Sequence, residues 1–324
     1  MTTATPGGAA SVRIRVPAST ANLGPGFDAV GLALGLWDEY DVTVGGNDGL
    51  RISVSGHGCD DVPLDATHLV VRAMAHGFAR LEAVMPQDVC LVARNGVPQG
   101  RGLGSSASAI VAGVVAAQVF SERGSWADVP AGERVALDLD VATDLSSELE
   151  GHPDNASASV RGGMTVSWTR DPGDPSPAAT GTASVVIHPD ITAVVLVPQA
   201  QLLTHTARAV LPPTVDHQAA ALNSGRAALL VEAMSRRPDL LLPATRDWLH
   251  QGFRRAAFAP SMDLVDALRA QGHAAVISGA GPSIVVLTAR ERAAAVVAPG
   301  TTRPDVWERL EPGVPVGGVE VTRL

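Results

Sequence analysis

The sequence predicts an α/β chain of the α+β kind, built in two parts, and three observations carry that prediction. Runs with an apolar residue at every second position recur near the N-terminus, helix-like segments with cap signals separate them, and the last third closes on a helix followed by two apolar runs around a glycine turn. With 324 residues, 46% of them hydrophobic, the chain has ample apolar material for real cores. Only 3% are aromatic, so those cores must be packed from Ala, Val, Leu and Ile.

The opening segment MTTATPGGAAS, residues 1–11, has no apolar period and no basic stretch leading into an apolar one, and is expected to be a disordered tail. SVRIRV places Val12, Ile14 and Val16 on one face, and LRISVSG does the same with Leu50, Ile52 and Val54, so both read as half-buried strands. Between them, ASTANLGPGFDAVGLALGL breaks at Asn22, Gly24, Pro25 and Gly26 and then turns apolar, a tight loop giving way to a strand. Asp65 is placed to cap a helix from Ala66 to about Glu82, and VCLVAR is a strand leading into a glycine-rich loop. The turn formers RDPGDPSPAATGTA, Arg170 to Ala183, read as a linker or a long hairpin loop. The expected parts are therefore residues 12–170 and 184–324. In the second, ASVVIHPDITAVVLVP supplies two strand-like runs and helices follow as far as Leu249. Ser261 is placed to cap the helix DLVDALRA, which Gly272 stops, and AAVISGAGPSIVVLT predicts a hairpin.

The net charge of −9, with no basic block, argues against nucleic acid as a partner. There is no lysine; all 24 basic residues are arginine, which excludes a Walker A lysine, a Schiff-base lysine and a lysine general base. Cys59 and Cys90 are too few for a disulfide framework and suit a reducing cytoplasm. His57-Gly-Cys59 and the remaining histidines give no complete metal-ligand set. The apolar run Ala107–Phe120 is about 14 residues, short of the roughly 20 that span a bilayer, so no membrane partner is expected.

GRGLGSSASA, from Gly100 to Ala109, leaves the backbone almost free of side-chain bulk just before an apolar, helix-like run. Successive N–H groups and the positive helix end can converge there on an anion, while Ser105 and Ser106 can cap the helix or ligate a metal riding on phosphates. The missing lysine rules out Walker A, and the glycines do not give G-x-G-x-x-G. The residues alone leave two readings open: a phosphate cradle, or a glycine turn feeding a buried helix.

P-x-x-x-G-L-G-S-S-A, from Pro98 to Ala107, resembles the nucleotide loop of the kinase superfamily named after galactokinase, homoserine kinase, mevalonate kinase and phosphomevalonate kinase, the GHMP kinases. VPASTANLGPGFDAVGLAL resembles its first motif and SGAGPSIVVL its third, in the expected order between Val16 and Leu287. Within the superfamily, ASTANLGPGFDAVG, LEGHPDNASASVRGG, THTAR and DWLHQGFR are similar to the substrate-side segments of homoserine kinases. The resemblance implies a two-domain fold with an N-terminal nucleotide-loop domain and a C-terminal ferredoxin-like domain, ATP and Mg²⁺ as cofactors, and phosphorylation of L-homoserine.

By the same resemblance, Pro98, Gly100, Arg101, Gly102, Leu103, Gly104, Ser105 and Ser106 are expected to hold ATP. Ser106 and Glu150 are expected to hold Mg²⁺, with Glu148 a competing carboxylate. Asn22, Asp28, His152, Asn155, Arg208 and Arg254 are expected around the amino acid, the arginines on its carboxylate, with Arg255 adjacent to the last. Thr204 is expected near the acceptor hydroxyl. Asp154 stands where mevalonate kinase-like members place a catalytic aspartate, whereas homoserine kinases are thought to work without a committed base. The expected partners are small molecules, L-homoserine and MgATP, with a homodimer as a candidate assembly and the cytoplasm as location. The alternatives are a kinase of another small alcohol, such as mevalonate or shikimate, and a non-catalytic nucleotide-binding relative.

Overall fold

In the computed structural model residues 9–46, 48–121, 128–171, 179–200, 208–296 and 306–324 are described. The first strand, β1 (Ala10–Ala21), buries Val12, Ile14 and Val16 as their alternation requires, and already includes Ala10 and Ser11 of the expected tail. Those two residues are drawn into the sheet because both edges of β1 are paired: Ala10 lies opposite Val44 of β2 (Val30–Val44), and Val12 opposite Arg323. Residues 1–8 of that tail lie outside the described residues. β3 (Leu50–Gly56) runs parallel to β4 (Val89–Asn95), which pairs antiparallel with β2.

Four helices cover this sheet. α1 (Leu69–Arg80) packs on α2 (Ser105–Ser121), and α3 (Leu139–Glu150) on α4 (Pro153–Arg161). The cap of α1 is His68, whose Nδ1 accepts from Val70 N; Asp65 instead accepts from Thr67 N and Oγ1, closing a turn ahead of the helix. At the far end Glu82 has φ +52, so the helix stops short of it.

β5 (Met164–Thr169) and β6 (Thr180–Val185) form an antiparallel hairpin, and β5 also pairs with β2. Of the stretch 170–183, residues 172–178 lie outside the described residues, and Thr180–Ala183 belong to β6 in the first sheet. The expected boundary at 184 falls inside β6, and the terminal strand β11 (Glu320–Arg323), within the expected second part, pairs with β1. An otherwise open edge of β1 would leave a row of N–H and C=O groups unpaired, and the returning terminus fills it. The boundary at 184 therefore does not separate the two sheets.

The second sheet has the order β10 (Trp307–Leu310), β7 (Ile191–Pro198), β9 (Ile284–Ala289), β8 (Ala274–Ile277), with the predicted β8–β9 hairpin. Every residue of β7 is buried. Its one face, Ile191, Ala193 and Val195, packs with α5 (His217–Ser235), α6 (Leu241–Ala244) and the first sheet's Leu32, Leu34 and Met164. Its other face, Val194 and Leu196, meets Val265 and Leu268 of α8 (Ala259–Ala270). One apolar core thus spans both sheets and fixes the loops at their junction. Ser261 does not cap α8; it sits past Pro260 in the first turn, and its hydroxyl donates to Pro282 O at 2.7 Å. Gly272, at φ +86, follows the helix end as expected.

Candidate active site

Gly100, Gly102 and Gly104 have φ of +63°, +74° and +72°, a region L side chains rarely adopt. Packing demands glycine as well: a Cβ at Gly102 would lie 2.4 Å from Ser278 O, and one at Gly104 2.2 Å from Ser19 Oγ. The loop's carbonyls are tied down by both flanking motifs. Arg101 O accepts from Ser283 N, Gly102 O from Ser278 Oγ and Leu103 O from Ser19 N. The three motifs spaced along the sequence therefore meet here, and α2, apolar on every face, starts at Ser105 directly after the loop.

Glu150, His152, Asp154 and Asn155 come from one corner. Gly151 ends α3 in the left-handed conformation, φ +83, and Pro153 opens α4, for which its fixed φ is suited. Ser106 Oγ donates to Glu150 Oε2 at 3.3 Å. Burial, with a smaller push from Asp154, raises the Glu150 carboxyl above its usual range; the charge of His152 and the Ser106 hydroxyl oppose this. His152 Nδ1 lies 2.9 Å from Asp154 Oδ1, which also accepts from Asn155 N at 2.8 Å. Burial lowers the His152 pKa, but the hydrogen bond and charge of Asp154 and the charge of Glu150 outweigh it, and the net shift is upward. Asn155 Oδ1 accepts from Ser19 Oγ at 3.2 Å, linking this corner to the glycine loop.

The other end is built by the loop after β1. Asn22 and Asp28 both have positive φ, +72° and +55°. Asn22 is buried and its amide is used in holding the loop: Nδ2 donates to Gly279 O and Oδ1 accepts from Asp28 N. The Asp28 carboxylate receives both Nη1 and Nη2 of Arg208, at 3.0 and 2.6 Å. Arg254, in α7 (Gln251–Arg254), is only 2% exposed, and its guanidinium and that of Arg208 lie 5.4 and 5.7 Å from the Phe27 ring centroid.

These groups line one cavity of about 230 Å³. Of the expected site residues, it brings together Asn22, Asp28, Glu150, His152, Asp154, Asn155, Arg208 and Arg254 with Gly100, Gly102, Leu103, Gly104, Ser105 and Ser106. Leu103 contributes backbone, its side chain being core. Pro98 and Arg101 do not line it; the Arg101 guanidinium is turned to the carbonyls of Gln99, Pro198 and Gln199, fastening the loop to the end of β7. Thr204 lies outside the described residues. Glu148 is exposed and paired with Arg80, and Arg255 with Asp263 and Asp266, so Glu150 and Arg254 are the members of each pair that reach the cavity.

Sequence reasoning missed Ser19, Phe27, His250 and Ser278, whose roles arise from contacts across the chain. It also missed Asp38, whose buried carboxylate accepts from Val97 N and Tyr40 OH at the entry to the glycine loop, and whose pKa burial raises. Asp38 at least left a signal, an acid on the inward side of an apolar strand.

Residues 68–163 match the family model of the GHMP kinases N terminal domain and residues 219–299 that of the GHMP kinases C terminal, so the class is that of these small-molecule kinases. The chain is 48% identical over 279 residues to the homoserine kinase of Streptomyces coelicolor, 86% of this chain and 85% of that one. It is 44% identical over 314 residues to that of Clavibacter michiganensis subsp. michiganensis, covering 96% and 93%. The homoserine kinase structure from Cytophaga hutchinsonii superposes with a TM-score of 0.76 at 25% identity, over 96% of this chain and 97% of that one. The chain belongs to the homoserine kinase family of the GHMP kinases. A mevalonate diphosphate decarboxylase from Staphylococcus aureus shares the fold, with a TM-score of 0.65 at 15% identity over 97% of this chain and 98% of that one, so fold alone does not select an acceptor. Among the described residues no helix is long and apolar enough to cross a membrane.

Proposed function

We propose that this chain transfers the γ-phosphoryl group of ATP to the side-chain hydroxyl of L-homoserine, giving O-phospho-L-homoserine. The observation that carries the reading is a single cavity with two unlike ends. At one end are a glycine loop and a helix start; at the other, a carboxylate, Asp28, faces two guanidinium groups, Arg208 and Arg254. The first suits polyphosphate and the second a zwitterion, with Asp28 toward the ammonium and the arginines toward the carboxylate. Mevalonate and shikimate carry a carboxylate but no ammonium, and would leave Asp28 without a partner on the substrate. The named relatives support the same acceptor.

The amides of Gly102 to Ser106 and the α2 N-terminus hold the phosphates. Arg101, though within the glycine loop, does not help at that end, because its guanidinium is committed to carbonyls elsewhere. Ser106 and Glu150 fit a hard cation: two oxygens 3.3 Å apart, one of them on a carboxylate whose negative form burial disfavours and a cation would restore. Mg²⁺ bound by one or two protein oxygens would take most of its remaining ligands from phosphate and water. When bound, Mg²⁺ would neutralise phosphate charge. Asn155 and the His152–Asp154 pair orient the acceptor hydroxyl. The new bond forms between that oxygen and the γ-phosphorus as the bond to the β,γ-bridging oxygen breaks and ADP leaves; the hydroxyl proton is lost late, to an oxygen of the transferred phosphoryl group and from there to water. A loose transition state asks chiefly for position and charge, so Asp154, already tied to His152 and Asn155, orients rather than serves as an obligatory base.

The test is ADP release by the purified chain with MgATP and homoserine, mevalonate, shikimate or serine, with the product identified by ³¹P NMR. Homoserine should be the preferred acceptor. No ADP on adding homoserine, or a better rate with another alcohol, overturns the reading; ATP binding without any turnover would favour a non-catalytic relative.

A further inference from the structure

His250 is fully buried beside the cavity without lining it, and both of its ring nitrogens are assigned by what they touch. Nε2 is 2.8 Å from Gly24 O, a carbonyl that can only accept, so Nε2 carries the proton. Nδ1 is 3.3 Å from Arg254 Nη1, which can only donate, so Nδ1 is the acceptor. The imidazole is therefore neutral, and burial lowers its pKa in the same sense. Its face stacks on Phe27, with ring centroids 5.1 Å apart and planes at 22°. The opposite end is fixed by Asp247, whose carboxylate accepts from the backbone N–H groups of Leu249, His250 and Gln251. Gly24 is held as tightly: with φ +88, a Cβ there would lie 2.4 Å from Thr245 O.

We infer that His250, with Phe27 stacked on it, is the positioning residue that aims Arg254 at the substrate carboxylate and ties that arginine to the loop carrying Asp28. The inference rests on the proposed function. Arg254 is held on one side by Nδ1 and flanked by Phe27, and Phe27 flanks Arg208 as well, so one ring sets the relation between the two cationic groups. The Gly24 carbonyl, by accepting from Nε2, dictates which nitrogen faces Arg254. Recognition of the carboxylate thus depends on a neutral histidine that does not itself touch the substrate.

Two substitutions separate the nitrogens. His250→Asn retains an oxygen acceptor at the Nδ1 position and loses the reach to Gly24; His250→Gln retains a donor near the Nε2 position and loses the acceptor facing Arg254. The readout is the full-length enzyme's preference, in kcat/KM, for homoserine over 3-aminopropan-1-ol, the same alcohol without its carboxylate, together with KM for ATP. His250→Gln should lower that preference roughly tenfold to a hundredfold with KM for ATP unchanged, the scale of a hydrogen bond to a charged group, and His250→Asn should retain most of it. Phe27→Leu, which leaves both His250 hydrogen bonds available, should lower the same preference and serves if a His250 variant does not fold. An unchanged preference in His250→Gln or in Phe27→Leu, equal losses in both His250 variants, or a parallel rise in KM for ATP overturns the inference. Failure of the wild-type chain to use homoserine at all overturns the proposed function instead.

Discussion

Replacing Gly104 by alanine should damage stability and nucleotide binding together. At φ +72° an L residue costs about 1–2 kcal/mol. The added Cβ would also lie 2.2 Å from Ser19 Oγ and about as close to its backbone as 3.0 Å. Ser19 cannot simply rotate away, because its hydroxyl donates to Asn155 Oδ1 and accepts from Ser159 Oγ, and its N–H holds Leu103 O. Forcing a methyl into such packing costs a further 1–3 kcal/mol or so, about 2–5 kcal/mol in total. Gly151 supplies the control: its φ is +83°, but nothing lies within 4 Å of the position a Cβ would take, so Gly151→Ala should cost only the backbone share, about 1–2 kcal/mol. Urea unfolding of the two variants, read from midpoints at unchanged slope, measures the difference. Gly104→Ala should also raise KM for ATP at least about tenfold, since the cradle's amides move with Ser19. Equal destabilisation by the two substitutions would refute the close-packing argument, and an unchanged KM for ATP would refute the role of the loop.

Glu150→Gln should separate stability from activity. Because burial raises the Glu150 carboxyl, the folded state binds its proton more tightly than the unfolded one, and stability falls as pH rises from the ordinary carboxylate range through the raised value. Without nucleotide or Mg²⁺, Glu150→Gln should therefore melt higher than wild type at pH 8, with the gap closing below about pH 4, while turnover drops at least about a hundredfold; a lower melting point at pH 8 would contradict the burial argument. His152 has the same sign, stability again falling as pH rises, but in a higher window, and here it is the protonated form that the fold favours through a partner. Its raised pKa makes the pair with Asp154 stabilising below about pH 6.5 and progressively less so as pH climbs through the folded value, so His152→Gln should destabilise more at pH 5.5 than at pH 8.5. A gap that does not change with pH would show that the pair is not ionic. Arg208→Ala removes a fork from Asp28 and from the carboxylate end of the cavity, and should raise KM for homoserine about tenfold to a hundredfold with KM for ATP little changed; equal effects on both would sink its assignment to the amino acid.

Much of the fold was legible because its signals are local. The alternation of Val12, Ile14 and Val16, the hairpin AAVISGAGPSIVVLT and the stop at Gly272 each rest on a few neighbouring residues. Helix starts were less legible, since a cap is chosen by competition. Asp65 found Thr67 and left the cap to His68, while Ser261 found Pro282 on another element. Arg101 illustrates the same limit in the site: as a cation in a glycine loop it invites a phosphate, but three carbonyls in reach of its fork claim it first. Asn22 belongs to the site by position and yet spends its amide on Gly279 and Asp28.

By itself the sequence determined the main strand alternations and several helices, that the loop from Gly100 to Ser106 is almost free of side-chain bulk, that no lysine takes part, and, through its resemblance to a kinase family, which side chains could serve a phosphoryl transfer. Those properties depend on side-chain bulk, on side-chain periodicity and on residue chemistry, all of which are written within a few positions. Only the tertiary structure decided that the terminal strand returns to β1, that Glu150 rather than Glu148 and Arg254 rather than Arg255 reach the cavity, and that Arg208 closes on Asp28 from 180 residues away. Only the fold, too, set His250 between Gly24 and Arg254. Such pairings have no local code, because they follow from burying one apolar core between two sheets, and that burial places the loops at its edge wherever they lie in the chain.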